Sequence, residues 1–137
     1  MIEVAARSEV EVDLGEIEAR VRWTCERLGI TRASVGLLVL GPEAMATING
    51  EHRGKPEPTD VLAFPIDGEG GPSSLATWPD NGPAPELGDI IICPDAAQEP
   101  LTTLAVHGLL HLLGHDHEVD DGEMLALQDM LVAEAQA

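Results

Sequence analysis

Beyond Lys55 the chain contains no lysine or arginine. All seven basic residues (Arg7, Arg20, Arg22, Arg27, Arg32, Arg53 and Lys55) lie in the first 55 positions, and 16 of the 25 acidic residues follow them. A net charge of −18 excludes broad electrostatic wrapping of nucleic acid, so any contact with phosphate has to be local. No apolar run approaches the roughly 18 residues of a membrane span. Residues 1–12 place acidic side chains where a secretory leader needs a basic start and an apolar centre, so a cytoplasmic protein with no membrane association is expected. Two cysteines, Cys25 and Cys93, are too few for a disulfide framework, and their apolar neighbours predict reduced core thiols. Internal repeats are also lacking. At 137 residues the expectation is one domain, 1–137, burying about two-thirds of its unfolded surface.

The apolar pattern predicts a mixture of helices and strands without strict alternation. Weak alternation over 2–12 suggests a strand, and Asp13 with Glu16 forms a capping-box start for a helix that Gly29 ends. Ala33 to Leu40 reads as a buried strand, Pro42 to Ile48 as a short helix, and Thr59 to Phe64 as a strand closed by Pro65. Residues 67–86, rich in Gly, Pro, Ser and Asp, read as a long surface loop. The run Ile90, Ile91, Ile92 marks another buried strand. A helix from about Pro100 to Leu113 is apolar all round and should be the central buried helix. Asp120 and Glu123 suit the start of a last helix with Met124, Leu127 and Leu131 inward. The class that fits is α+β.

Four of the five histidines fall within 107–117, and three have the spacing of a metal site. Residues four apart share a helix face, so His107 and His111 can aim at one point. Gly114 is a natural helix stop, after which the chain can turn back and deliver His117. A lone histidine here would read as a surface or core residue; three at this spacing read as ligands. Three protein ligands leave one tetrahedral position open, the pattern of catalytic zinc, although imidazoles also suit iron or nickel.

The segment H-x-x-x-H-x-x-G-x-x-H is also the metal-binding spacing of metzincin proteases. Those enzymes carry Glu directly after the first histidine as general base. Here that residue is Gly108, so proteolysis by that route lacks its base. Gly108 instead suits close approach of the helix to a sheet, since a mid-helix glycine otherwise costs about 1 kcal/mol relative to Ala.

With the glycine in place, His107-Gly108, Leu110-His111-Leu112, Gly114 and Asp116-His117 resemble the H-G-x-L-H-L-x-G-x-D-H signature of the YbeY family of bacterial rRNA maturation factors. Asn49, Arg53, Gly54, Lys55 and Pro58-Thr59-Asp60-Val61-Leu62 through Phe64-Pro65 resemble the family's N-x-x-x-R-x-K…P-T-D-V-L-S-F-P block, with Ala63 at the usual Ser. Leu87-Gly88-Asp89-Ile90 and Cys93 resemble its L-G-D-I-x-I-C strand. Met124 and Gln128 fall where its last helix carries similar residues. The likeness covers most of the chain beyond about Ser34.

The resemblance implies a zincin-like α+β domain, with a mixed sheet of about four strands and a metal site at the C-terminal end of the central helix. It implies a zinc-dependent, single-strand-specific endoribonuclease of 16S rRNA 3′-end maturation and ribosome quality control. Its partners would be single-stranded rRNA and the ribosomal small subunit or assembly factors. One Zn2+ would be held by His107, His111 and His117, with Arg53 as the active-site arginine, a guanidinium suited to forking onto phosphate oxygens. Lys55 would add a substrate contact, Asp116 would orient a ligand imidazole, and His115 would be a surface residue. Only thirteen residues, 94–106, separate the L-G-D-I strand from the first ligand, so the helix that the family usually has there is expected to be shortened or lost. Two other readings remain open: a zincin-fold hydrolase of another phosphoester or amide, and a non-catalytic ribosome-assembly adaptor in which zinc only holds the fold.

Overall fold

Strand β1 (Ile2–Ser8) is followed by helix α1 (Leu14–Arg27), strand β2 (Ala33–Val39) and helix α2 (Pro42–Arg53) in the computed structural model, which describes residues 1–137. Strand β3 (Val61–Pro65), a short helix α3 (Gly71–Leu75) and strand β4 (Glu86–Ile92) come next, then α4 (Leu101–Leu112) and α5 (Glu123–Gln136). The four strands form one mixed sheet in the order β1-β2-β4-β3. β1 and β4 both run parallel to β2, and β3 is antiparallel to β4 at the other edge. The molecule is therefore α+β with a four-stranded sheet, as the sequence suggested.

The alternation in β2 explains which face is buried. Ala33, Val35, Leu37 and Val39 are buried and join Ile90 and Ile92 of β4 beneath α1 and α4. Ile17, Val21 and Cys25 come down from α1, and Leu104, Ala105, Leu109 and Leu112 from α4. Asp13 caps α1, its side chain accepting the Glu16 N–H at 3.1 Å. On the sheet's other face, α2 covers a smaller cluster of Leu40, Met45, Leu62, Ile91 and Cys93. Both cysteines are buried and free. Burial, with Glu26 beside it, pushes the Cys25 thiol up to about 12, which leaves an inert core thiol.

Gly108 sets how close α4 lies to the sheet. A Cβ there would come 2.8 Å from Ile90 Cγ2 and 3.3 Å from Val61 Cγ2. The penalty of about 1 kcal/mol for a mid-helix glycine is small beside the ~1.5–3 kcal/mol gained for each large apolar side chain fully buried. Leu109, Leu110 and Leu112 of this helix are all fully buried.

Two segments differ from the sequence expectation. Helix α2 runs on to Arg53 rather than stopping near Ile48; Asn49-Gly50 are weak helix formers, but Asn49 is buried and its Nδ2 donates to the Glu57 carbonyl at 2.9 Å. Residues 67–86 are not wholly surface loop. They contain α3, place Leu75 in the main core, and lay residues 68–71 against the end of α4. A five-residue helix opening on Gly-Pro has no periodicity to announce it. Between β4 and α4, a single 3-10 turn at Pro94–Ala96 stands where a helix was expected to be shortened or lost.

Candidate metal centre and active-site cleft

His107 and His111 sit on the last two turns of α4, and Gly114, at φ 94°, turns the chain sharply just beyond it. An added Cβ at Gly114 would be strained at that φ and would overlap the Glu69 carbonyl. The turn brings His117 back over the helix end. The three ring centroids are 4.8, 5.0 and 5.3 Å apart, and the three ligand atoms lie within 4.8 Å of one another.

Hydrogen bonding decides what these rings present. His107 Nδ1 donates to Gln128 Oε1 at 2.7 Å, and His111 Nδ1 donates to the His115 carbonyl at 2.9 Å. Both protons are thus on Nδ1, which leaves a lone pair on each Nε2. Those two Nε2 atoms face each other at 3.2 Å. Two lone pairs at that distance repel unless a cation lies between or beside them. His117 Nδ1 is buried with no hydrogen-bond partner, a second polar group left for a ligand to satisfy. Burial holds the His111 imidazole below its ordinary value; His107 adds to this, against the opposing hydrogen bond that His111 donates to the His115 carbonyl. Neutral imidazole is the form that binds metal. The donor set, three imidazoles with an open side, fits zinc.

Gln128 is the orienting partner that the sequence reading did not assign to the site. It is buried on α5, between Met124 and Leu131, which anchor that helix against Val106 and Leu110 of α4. A polar residue on an otherwise apolar stripe was the available signal, because a buried amide has to find a partner. Asp116 had been expected in this role, yet its carboxylate accepts the Glu118 N–H at 3.0 Å and makes no hydrogen bond to an imidazole. It shapes the turn carrying His117, as Asp commonly does two residues back from a backbone N–H. His115 is half-buried rather than a plain surface residue, and its carbonyl is what holds His111.

The imidazoles open into a cleft of about 710 Å³, whose walls come from the end of α2, strand β3 and the ligand turn. Arg53, the last residue of α2, lines it. Its guanidinium is exposed and makes no ion pair; the only salt bridges are Arg22–Glu18 and Arg27–Glu134. Asn49, one turn earlier, ties the returning 55–58 segment to α2 and so fixes the helix end that carries Arg53. Lys55 is exposed and does not line the cleft. His52, which the sequence reading passed over, does.

Two changes test how the centre is built. Gln128→Ala should weaken zinc binding by roughly 10–100-fold, the usual effect of removing a ligand's hydrogen-bond partner, as read by competition with a chromophoric chelator. Gly114→Ala should cost about 1–3 kcal/mol in stability for the forced left-handed conformation, measured by chemical denaturation, with further loss from the Glu69 overlap. Wild-type stability and zinc retention in Gly114→Ala would contradict the packing described for this turn.

The family profile described as "Endoribonuclease YbeY" matches residues 3–136. Proteins named Endoribonuclease YbeY from Mycobacterium tuberculosis and Mycobacterium marinum are each 37% identical over 147 residues, covering 97% of this chain and 82% of the relative. The Mycolicibacterium paratuberculosis protein of that name is 36% identical with the same coverage. Among solved structures, the solution structure of TM1509 from Thermotoga maritima aligns with a TM-score of 0.56 and 25% identity, covering 98% of this chain and 88% of that one. With its histidine triad, its glycine-packed metal helix and a match over nearly its whole length, the chain belongs to the YbeY endoribonuclease family.

Proposed function

We propose that residues 1–137 act as one zinc-dependent endoribonuclease unit that cuts single-stranded RNA, and that the cell uses it in 16S rRNA 3′-end maturation and ribosome quality control. The observation that carries this reading is the pair of lone-pair-bearing Nε2 atoms at 3.2 Å, opening onto a cleft that Arg53 also lines. His107, His111 and His117 would hold the ion. Bound there, zinc supplies Lewis acidity toward phosphoryl and water oxygens. Arg53 binds the scissile phosphate and stabilises the charge that builds on it, since its fork of donors is unpaired in the free protein. Gln128 and the His115 carbonyl keep the two helical imidazoles in their donor tautomers. Asp116 acts through the turn that carries His117.

The acidic surface bears on the partner. Asp60, Glu69, Asp116 and Glu118 line the cleft beside a single guanidinium, so phosphate affinity there depends on the ion and on Arg53. Delivery by the ribosomal small subunit or an assembly factor in the cytoplasm would supply the rest of the affinity. The test uses a single-stranded RNA spanning a 16S 3′ end, the same sequence as duplex, and protein with and without chelation. Cleavage of the single strand alone, lost on chelation and restored by zinc, is expected. A zinc-loaded protein that cuts neither strand form, with or without ribosomal subunits, overturns the enzyme reading in favour of an adaptor.

A further inference from the structure

We propose that His52 is a stacking platform for the base of a nucleotide adjoining the scissile phosphate, an inference that rests on RNA being the substrate. His52 lies in the last turn of α2, directly before Arg53, and both side chains line the cleft that holds the histidine triad. The residue is exposed, and its ring makes no hydrogen bond within the protein. It is nevertheless held in place. Its ring centroid lies 4.4 Å from that of Phe64 with the planes at 69°, an edge-to-face pair of the favoured kind. Phe64 is itself anchored against the cluster of Leu62, Met45 and Ile91 beneath α2. In an edge-to-face pair at most one face of a ring is covered, so His52 keeps at least one face free.

Such a face is scarce in this molecule. The chain has no tyrosine, one phenylalanine and two tryptophans. Trp23 packs against the cluster between α4 and α5, and Trp78 is turned onto the Pro83 carbonyl away from the cleft. The other rings lining the cleft are the three ligands and His115, in the ligand turn itself. Outside the triad, whose rings pair only with one another, His52 is the one ring there backed by a second aromatic.

Chemistry connects this ring to its neighbour. A nucleotide offers a charged phosphate and a flat base, and Arg53 and His52 offer a fork and a plane from one helix end. Stacking needs an unstacked base, which a single strand supplies and a duplex does not. It also needs no cation, so it adds affinity without electrostatics in a chain of charge −18, and it tolerates any base because each has a π face.

The experiment compares zinc-loaded wild type, His52→Ala and His52→Phe on a single-site, single-stranded oligoribonucleotide, and on the same strand made abasic at each position flanking the cut. His52→Ala should raise KM about 10-fold, within the usual range for loss of one base–aromatic stack, with kcat and zinc content little changed. His52→Phe should restore KM, and one abasic position should abolish the difference between wild type and His52→Ala. If His52→Phe is as impaired as His52→Ala, or if the defect persists in full on every abasic strand, the platform is refuted and the residue acts through its nitrogens or through the fold. Should wild type cut none of these strands, the nuclease reading fails by itself. The platform is then tested by the same comparison in fluorescence-anisotropy binding, where equal affinities across variants and strands refute it.

Discussion

His111→Ala should give a folded protein that no longer retains zinc through dialysis. The side chain is half-buried at the rim of the cleft, so its removal leaves no cavity in the core beneath α4. The turn keeps its backbone ties, the His115 N–H to the Leu110 carbonyl and the Gly114 N–H to the His111 carbonyl, both at 3.1 Å. What goes is one of three donors, and two imidazoles do not satisfy a tetrahedral ion. The loss should exceed the roughly 100-fold at the upper end for removing a ligand's outer partner. Thermal unfolding gives an independent reading. Zinc at 100 times its Kd should stabilise wild type by about 2.7 kcal/mol through mass action, and at the same concentration should leave His111→Ala almost unmoved. An equal shift in both proteins would mean that the ion sits elsewhere.

Arg53→Ala should do the reverse, keeping zinc while losing cleavage by roughly 100–1000-fold in kcat, as expected for one preorganised donor aimed at developing charge. Arg53 is exposed at the C-terminus of α2 and unpaired, so truncation carries little structural cost. Arg53→Lys should recover only part of the rate, because an ammonium keeps the charge but not the bidentate fork. Measured together by single-turnover cleavage and metal analysis, the two variants separate an enzyme from a zinc-stabilised adaptor. In an adaptor, Arg53→Ala would behave as wild type in both assays.

The strands and the two long apolar helices were legible because their patterns repeat over enough residues to be seen. The alternation in β2 and the apolar surround of α4 each specify an environment, and the triad follows from helix geometry plus one glycine. Features that depend on distant chain were not legible. Helix α2 continues through Asn49-Gly50, where the Glu57 carbonyl, eight residues on, accepts from the buried Asn49 amide. Asp116 is adjacent to a ligand in sequence but faces its own turn, whereas Gln128 meets His107 across 21 residues. His52 had no signal of its own. Its place in the cleft depends on where α2 ends and on Phe64 from another strand.

The link from Gln128 to His107 also imposes an order in time. The ring that opens the metal motif is held by a residue made 21 positions later, on a helix that docks through Met124 and Leu131 onto Val106 and Leu110. A chain still emerging from the ribosome can therefore carry all three histidines and yet lack a finished site. Only when α5 has been released and has folded back is the first imidazole locked in its donor tautomer. Until then His107 lacks the partner that orients it, and a chain cut short before Gln128 should bind its metal roughly 10–100-fold more weakly.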